Sequence, residues 1–431
     1  MSAVEGWKNK RLDEIGTIVS GSTPSTSVHS FWDGDIVWIT PNDLSKLNTP
    51  YLNDSAKKIT EKGLNACSAH LLPARSIVMS SRAPIGYVAI PDVEFCTNQG
   101  CKSIKLKNDV HPAFTYYNLI FNIHKIKNLG EGTTFAEISK TVLSVVQLSF
   151  PKSYSEQAKI AEILSTVDKA IEQTEALIAK QQRIKTGLMQ DLLTRGIDEH
   201  GNLRSEKTHK FKDSPLGRIP VEWEVRKLCE LVDEDITYGI VQAGPNIENG
   251  VPYIRTGDMA GETIGIDQLF RTSEKIAKSY KRSTVFTGDI VFALRATVGK
   301  VLPVSKEIEG ANLTQGTAKI SPKEIVEPAF LLSALQTKMV QNQIRLHQKG
   351  TTFMEITLGD LRSIKIALPM NRVEQSMISN NLIKNDNLRV RCIQHCLKLR
   401  SLKTALMQNL LTGKKRVNEL LKEKSVRCIN S

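Results

Sequence analysis

The sequence lacks any long hydrophobic run. No uninterrupted apolar stretch approaches the roughly 18 residues that a membrane-spanning helix needs, and residues 1–5 do not open a secretory signal peptide. The seven cysteines are an odd number without a CxxC pair, which fits a reducing compartment better than a disulfide framework. We therefore expect a cytoplasmic protein that has no membrane partner.

The sequence also lacks the short motifs of common catalytic sites. The nearest candidate for a phosphate-binding loop, residues 297–301, has neither the upstream glycine nor a hydroxyl residue after its lysine. There is no HExxH, no GxSxG and no AsnProPro-aromatic sequence of the amino-methyltransferases. Cys392, His395 and Cys396 share a helical face, but no fourth metal ligand accompanies them. We expect a noncatalytic chain that binds no metal and no cofactor itself.

The charge of the chain is positive. It has 58 lysines and arginines against 45 aspartates and glutamates, a formal net charge of +13. This excess favours a polyanionic partner, with nucleic acid the first expectation. The alternative is a basic surface without a function.

The sequence contains a tandem duplication. Residues 132–138 (GTTFAEI) recur as residues 350–356 (GTTFMEI), and residues 185–194 recur as residues 403–412, both at an offset of 218. Further matching pairs, at an offset of 216, are Trp7 and Trp223, residues 98–100 and 314–316, and residues 112–114 and 328–330. Two such long copies are too few for a solenoid. They predict a pseudo-twofold molecule that performs the same function at two sites.

Each copy has two parts of different composition. The first part places short β-branched runs between Gly, Pro, Asn and Asp, which predicts a domain rich in strands. The second part begins with capping residues and continues almost without Gly or Pro, which predicts a helix of about 40 residues and roughly 55 to 60 Å. The predicted segments are a first strand-rich domain (1–152), a long helix (153–195), a polar linker (196–218), a second strand-rich domain (219–370), a second long helix (371–412) and a basic tail that we expect to fray (413–431).

Both long helices carry a heptad seam. The first seam runs from Ile160 to Leu192 and the second from Ile378 to Leu410. The front half of the first helix is acidic and the back half of the second is basic, so these halves meet only if the helices are antiparallel. The predicted fold class is α+β: a tandem duplication of a strand-rich domain followed by a long helix, the two helices forming an antiparallel coiled-coil pair.

The order of these features resembles that of a known family. Four features carry the resemblance. Both copies begin at a tryptophan, Trp7 and Trp223, and both contain a Gly-Thr-Thr-Phe element. Both long helices begin with a proline followed by Glu-Gln, at Pro151 with Glu156-Gln157 and at Pro369 with Glu374-Gln375, and a Leu-Gly-x-Ile-Pro-x-x-Trp element runs from Leu216 to Trp223. Over essentially its full length, the chain resembles the specificity subunit of type I restriction-modification systems.

This resemblance implies two target-recognition domains that read a bipartite, asymmetric sequence in double-stranded DNA, one half-site per domain. It also implies two methyltransferase subunits and ATP-driven restriction subunits as partners, which would bind S-adenosylmethionine, ATP and Mg. Two similar domains held apart by long helices suit two half-sites with an unread spacer. Positions shared by the copies are then expected to build the scaffold, whereas divergent stretches, such as residues 20–35 against 237–251, carry the sequence code.

The candidate DNA contacts are polar residues at turns and strand ends. Because Arg82 and Arg295 are shared between the copies, we expect a phosphate contact or a structural role rather than base readout. The remaining candidates are the amides of Asn98, Gln99 and Gln315, the turn residues Thr133, Thr134, Lys349, Thr351 and Thr352, and the further polar residues Asn42, Arg255 and Lys300. These amides can pair with adenine or satisfy backbone groups, and these turn residues can bind phosphates or only shape their turns.

A noncatalytic DNA-recognition subunit is the function that these features favour. Two alternatives belong to other classes. A DNA-modifying enzyme with an unrecognised catalytic site would methylate or cut DNA as the purified chain alone. A coiled-coil scaffold with incidental basic charge would leave the assembled complex without DNA binding.

Overall fold

A computed structural model describes residues 4–82, 84–130, 137–350, 354–418 and 420. The chain divides into two compact units, residues 1–175 with 394–431 and residues 176–393. Each unit contains one strand-rich domain and a part of each long helix. No helix within the described ranges is long and apolar enough to cross a membrane.

The described residues of the first unit form ten strands. They are β1 (Trp7–Arg11), β2 (Gly16–Ser20), β3 (Trp32–Ile39), β4 (Tyr51–Leu52), β5 (Lys58–Ile59), β6 (Ile77–Ser80), β7 (Val88–Pro91), β8 (Phe95–Thr97), β9 (Cys101–Leu106) and β10 (Gln147–Pro151). The helices that begin in this unit are α1 (Leu12–Ile15), α2 (Pro41–Ser45), α3 (Glu61–Asn65), α4 (Pro112–Phe121), α5 (Ile123–Lys127), α6 (Lys140–Ser144) and the long α7 (Tyr154–Leu192). The sheet orders are β2-β9-β6-β7-β4, β5-β3-β8 and β1-β10.

The second unit repeats this plan with small changes. Its strands are β11 (Phe211–Ser214), β12 (Gly217–Pro220), β13 (Trp223–Lys227), β14 (Thr237–Tyr238), β15 (Val251–Ile254), β16 (Phe270–Thr272), β17 (Ile290–Ala293), β18 (Val301–Pro303), β19 (Asn312–Leu313), β20 (Thr317–Ile320) and β21 (Lys365–Pro369). Its helices are α8 (Glu274–Ser279), α9 (Pro328–Leu335), α10 (Lys338–His347), α11 (Leu358–Ser363) and the long α12 (Arg372–Leu410). The sheet orders are β14-β20-β17-β18, β16-β15-β19, β13-β21 and β11-β12.

The register of the strands shows that the duplication extends to the structure. β1 pairs antiparallel with β10 so that Trp7 faces Pro151, and β13 pairs with β21 so that Trp223 faces Pro369. β3 runs parallel to β8 as β15 runs parallel to β19. The same residues therefore begin and close both copies of the domain.

An aromatic core attaches each domain to a long helix. Trp7 packs edge-on against Phe114 at 6.2 Å between ring centroids, and Trp223 packs edge-on against Phe330 at 6.1 Å. The long helices contribute apolar residues from their first turns to these cores: Ile160, Ala161 and Leu164 in the first unit, and Ile378 and Leu382 in the second. Burial of these side chains is the main force that fixes the start of each long helix on its domain.

The long helices pack against each other as the heptad pattern predicts. Every position of the two predicted seams is buried or half-buried. In the first unit, Lys403 Nζ lies 2.6 Å from Asp168 Oδ1, and Arg400 pairs with Glu175. The residue number rises along one helix as it falls along the other, so the helices are antiparallel. The expected meeting of an acidic and a basic half is confirmed.

The same pairing in the second unit is more polar. Lys185 Nζ lies 2.9 Å from Asp386 Oδ1, and the Asn385 amide donates to Gln181 Oε1 at 3.1 Å. Arg389 is nearly buried on the seam of α12 and binds Asp386 Oδ1 at 2.9 Å. These contacts explain why this helix tolerates polar residues at positions that a coiled coil usually fills with apolar ones.

Two segments differ from what their composition predicts. Residues 196–218, predicted as a linker, contain the buried Arg204 and most of a β-hairpin. The tail was expected to fray from residue 413, but Arg416 binds the buried Glu156 at 2.6 Å and Val417 is buried in the core of the first unit. In each of these polar stretches, one arginine pairs with a buried carboxylate.

Candidate nucleic-acid interface

The glutamine turns are exposed in both units. Gln99 is exposed between β8 and β9 and accepts a hydrogen bond from the Thr23 hydroxyl. Gln315 is exposed at the corresponding turn between β19 and β20. Asn98, by contrast, accepts a hydrogen bond from the backbone N–H of Gly100 at 3.1 Å, so its side-chain carbonyl shapes the turn. The two glutamine side chains are therefore more exposed than that of Asn98 at these turns.

Each glutamine turn is hydrogen bonded to the end of a neighbouring strand. The backbone N–H of Ser81 donates to the Gly100 carbonyl at 2.8 Å, and that of Leu294 donates to the Gly316 carbonyl at 2.8 Å. The next residue in each case is the shared arginine. The fold thus places the arginine beside the glutamine turn in both units.

The shared arginines form the same ion pair in both units. Arg82 Nε donates to Glu137 Oε2 at 2.9 Å, and Arg295 Nε donates to Glu355 Oε2 at 3.0 Å. Both glutamates end the repeated Gly-Thr-Thr-Phe-x-Glu element, and all four side chains are exposed or nearly so. An arginine has five N–H donors, so it can hold this glutamate and still donate to a phosphate.

The threonines of the repeated element, Thr133, Thr134, Thr351 and Thr352, lie outside the described residues. Lys349 precedes the second element and is exposed. Its backbone exchanges two hydrogen bonds with Glu355, at 2.9 and 3.0 Å, and its Nζ lies 3.7 Å from Asp360 Oδ2. This lysine is therefore part of the same arginine–glutamate region.

The ends of the parallel strands bring a further pair of candidates to the glutamine turns. The backbone N–H of Asn98 donates to the Ile39 carbonyl at 3.0 Å, and Asn42 is exposed on the short helix α2 that follows. In the second unit, the N–H of Thr314 donates to the Ile254 carbonyl at 3.1 Å, and Arg255 comes next in the chain. Strand ends of this kind meet at one edge of a sheet and carry exposed turns.

Three elements thus meet at one place in each unit. We call this place the strand-end face. It comprises residues 40–43, 81–82 and 98–100 in the first unit, and residues 255–258, 294–295 and 314–316 in the second. Lys300 lies beside the second face, where its Nζ donates to the Ala260 carbonyl at 2.8 Å. Most of the described candidates from the sequence are therefore brought together, twice.

One residue beside the second face escaped the sequence analysis. The ring of Phe270 lies under the guanidinium of Arg255, whose Cζ is 3.8 Å from the ring centroid. Phe270 reaches this position because β16 pairs with β15 and sets it opposite Tyr253. No local pattern in the sequence shows this partnership, since it depends on strand pairing.

Two cysteines of the first unit have the properties of core residues. Burial raises the pKa of the Cys96 thiol and of the Cys101 thiol to about 12. A nucleophilic cysteine needs its thiolate near neutral pH. Neither residue is a candidate for covalent catalysis.

The pattern of the whole chain matches a known family. A sequence profile of the type I restriction modification DNA specificity domain matches residues 4–181 and again residues 220–398. This chain belongs to that family. Each matched stretch of the specificity domain joins one strand-rich domain to most of the long helix that follows it.

Known members are similar over most of this chain. The MjaIX specificity subunit of Methanocaldococcus jannaschii is 28% identical over 96% of this chain and 94% of its own length. The putative MjaX specificity subunit of the same organism is 30% identical over 72% of this chain and 70% of its own length. The crystal structure of the type I restriction-modification S subunit from M. genitalium shares the fold, with a TM-score of 0.57 and 19% identity over 94% of this chain and 96% of that one.

Proposed function

We propose that this chain reads a bipartite, asymmetric DNA sequence as the noncatalytic specificity subunit of a type I restriction-modification complex, with one half-site per domain. The observation that carries the proposal is the strand-end face, which is built twice on one scaffold from different residues. Thr40 and Asn42 of the first face correspond to Arg255 and Gly257 of the second. A shared frame with divergent contacts suits two different half-sites.

The shared residues of the face supply the contacts that do not depend on sequence. Arg82 and Arg295 are half-exposed, fixed in the same way, and adjacent to turns that carry further polar groups. Contacts from arginine to phosphates position a protein on the duplex without reading bases. The net charge of +13 supports the same role for the surface as a whole.

The long helices are the proposed docking site for two methyltransferase subunits. Apolar side chains that stay exposed along both helices support this, because a docked partner would remove them from water. The exposed apolar residues of the two helices include Leu177 and Ile184 on α7 and Val373, Ile383, Leu388, Leu397 and Leu402 on α12. Restriction subunits would complete the complex in the cytoplasm, and S-adenosylmethionine, ATP and Mg would belong to the partners.

Methylation profiling tests the proposal. The chain is coexpressed with its methyltransferase in a host without other methylation, and modified adenines are mapped by single-molecule sequencing. We expect a discontinuous motif with two different halves, and no modification when the chain is left out. A single continuous motif would contradict the two-domain reading, and methylation by the purified chain alone would show that it is an enzyme.

A further inference from the structure

One aspartate is common to the strand-end faces of both units. In the first unit, Asp43 Oδ2 accepts hydrogen bonds from the Thr40 backbone N–H at 2.9 Å and from the Thr40 hydroxyl at 2.6 Å. In the second unit, Asp258 Oδ2 accepts from the Arg255 backbone N–H at 2.8 Å. Both aspartates therefore fix the turn that follows the parallel strand, and this part of the face is scaffold.

The second aspartate has an additional partner. Asp258 Oδ2 accepts from Arg255 Nε at 3.1 Å, and its Oδ1 accepts from Nη2 at 2.7 Å. The Asp258 side chain is only 6% exposed, while that of Arg255 is 38% exposed. This hydrogen bonding also raises the pKa of Arg255 above its ordinary value. A buried carboxylate held by its own turn thus orients a partly exposed guanidinium.

An aromatic ring fixes the same guanidinium from a second direction. The Arg255 Cζ lies 3.8 Å from the centroid of the Phe270 ring, and the Tyr253 ring meets Phe270 edge-on at 6.5 Å. Stacking of this kind holds an arginine without using its N–H donors. Together, Asp258 and Phe270 leave the side chain little freedom to lose on binding a ligand.

This arrangement is specific to the second unit. The position of Arg255 is occupied by Thr40 in the first unit. In the first unit, β5 pairs with β3 so that Lys58 faces Val37. When the two strand pairs are compared, Lys57 is the residue at the position that Phe270 has in the second unit. The arginine and its supporting ring are therefore both replaced, whereas the aspartate stays.

The free edge of the guanidinium indicates its ligand. Asp258 occupies the Nε–Nη2 edge and Phe270 covers one face. Among the residues that the structure describes, no acceptor is bound at the Nη1–Nη2 edge, which presents two N–H donors side by side. In the DNA major groove, guanine offers two neighbouring acceptors, O6 and N7, and a forked arginine is their commonest specific partner. A phosphate also fits this edge, but a phosphate contact carries no sequence and would be expected in both units, as with Arg82 and Arg295.

We propose that Arg255, oriented by Asp258 and Phe270, reads a guanine in the half-site of the second domain. This inference rests on the proposed function and names one base and one residue within it. The alternative ligand, a backbone phosphate, is one outcome of the test. An arginine held in place before binding can discriminate between bases because a wrong base leaves its donors unpaired.

The test uses the complex of the full chain with its methyltransferase and duplexes that carry the target found by methylation profiling. Each guanine of the second half-site is replaced in turn by 7-deazaguanine, which lacks the N7 acceptor. We expect one replacement to weaken binding by the wild type, and the same replacement to have no effect on Arg255→Ala. The variant itself should lose selectivity for guanine at that position by roughly 5- to 150-fold, with the first half-site unchanged.

Two further variants separate the possible outcomes. Asp258→Asn still accepts from the Arg255 backbone N–H but loses the charged contact to the guanidinium, so we expect a smaller loss at the same base. Arg295→Ala, which removes a shared arginine, should weaken binding to all duplexes alike. If Arg255→Ala behaves like Arg295→Ala, or no guanine couples to Arg255, the inference is wrong although the proposed function stands. A wild-type complex without a discontinuous target would refute both.

Discussion

A buried ion pair in the second unit allows a sharp test of what joins a long helix to its domain. The side chains of Arg204 and Glu374 are each only 9% exposed, and Arg204 Nη2 donates to Glu374 Oε2 at 3.0 Å. Glu374 also accepts from Trp223 Nε1 at 3.1 Å and from the Ile197 backbone N–H at 3.2 Å. One carboxylate thus connects the segment after α7, the first turn of α12 and the first strand of the domain.

The substitution Arg204→Met retains much of the side-chain volume and removes the charge. The buried Glu374 then keeps its two neutral hydrogen-bond donors but loses its cation. Removal of one partner of a buried pair costs about 3 to 5 kcal/mol, and we expect the lower end, about 3 kcal/mol, because the two donors remain. The matched control is Arg295→Met, whose pair with Glu355 is 51% and 49% exposed and should therefore contribute about 1 kcal/mol or less.

Hydrogen exchange on the full chain measures this cost. A single free energy of unfolding is not defined for a chain with two units, whereas exchange of the slowest amides reports each unit separately. Arg204→Met should lower the protection of amides in the second unit by a factor of about 100 or more and leave the first unit unchanged. If Arg204→Met and Arg295→Met differ by less than about 1 kcal/mol, the buried pair does not hold the helix on the domain.

Three further outcomes follow from the structure. Replacing residues 7–150 with the first domain of another family member should change one half-site of the methylated motif and leave the other unchanged. Although burial opposes ionisation, hydrogen bonds from Lys185 and Arg389 hold the pKa of Asp386 below its ordinary value. The stabilisation that this pKa shift supplies is therefore present above the ordinary pKa of an aspartate, about 4, and is lost as the pH falls below it, so denaturation should show Asp386→Asn less stable than wild type at pH 7, with a difference that shrinks steadily as the pH is lowered below about 4. Deleting residues 413–431 removes the partner of a buried carboxylate and should lower the melting temperature of the first unit alone in calorimetry.

The general plan of the fold was accessible from the sequence because the chain repeats itself. Two copies of one hydrophobic pattern require two copies of one core, and Trp7 and Trp223 indeed begin strands with the same register. The heptad seams were accessible for a similar reason, since helical periodicity depends only on neighbours along the chain. Local patterns and repetition thus predicted the two strand-rich domains and the antiparallel pair of long helices.

Partners that are distant in the sequence were not accessible. Residues 196–218 have the composition of a linker, and nothing in them shows that Arg204 meets a glutamate that lies 170 residues further on. The tail is misleading for the same reason, because Arg416 bonds to Glu156 at a separation of 260 residues. Composition describes a segment by itself, whereas burial of a charge depends on a partner from elsewhere in the fold.

The duplication gives the candidate site an internal control. A residue that makes the same contact in both units, such as Arg82 or Arg295, does not distinguish one half-site from the other, because the two domains would then read alike. Under the proposed function, the arginine–glutamate pairs therefore belong to the frame that would hold DNA of any sequence, and their mutation should weaken binding to all sequences alike. Base selectivity must come from positions where the contacts differ while the backbone does not. Arg255 with Phe270, in place of Thr40 with Lys57, is such a position, and its aspartate support is common to both units.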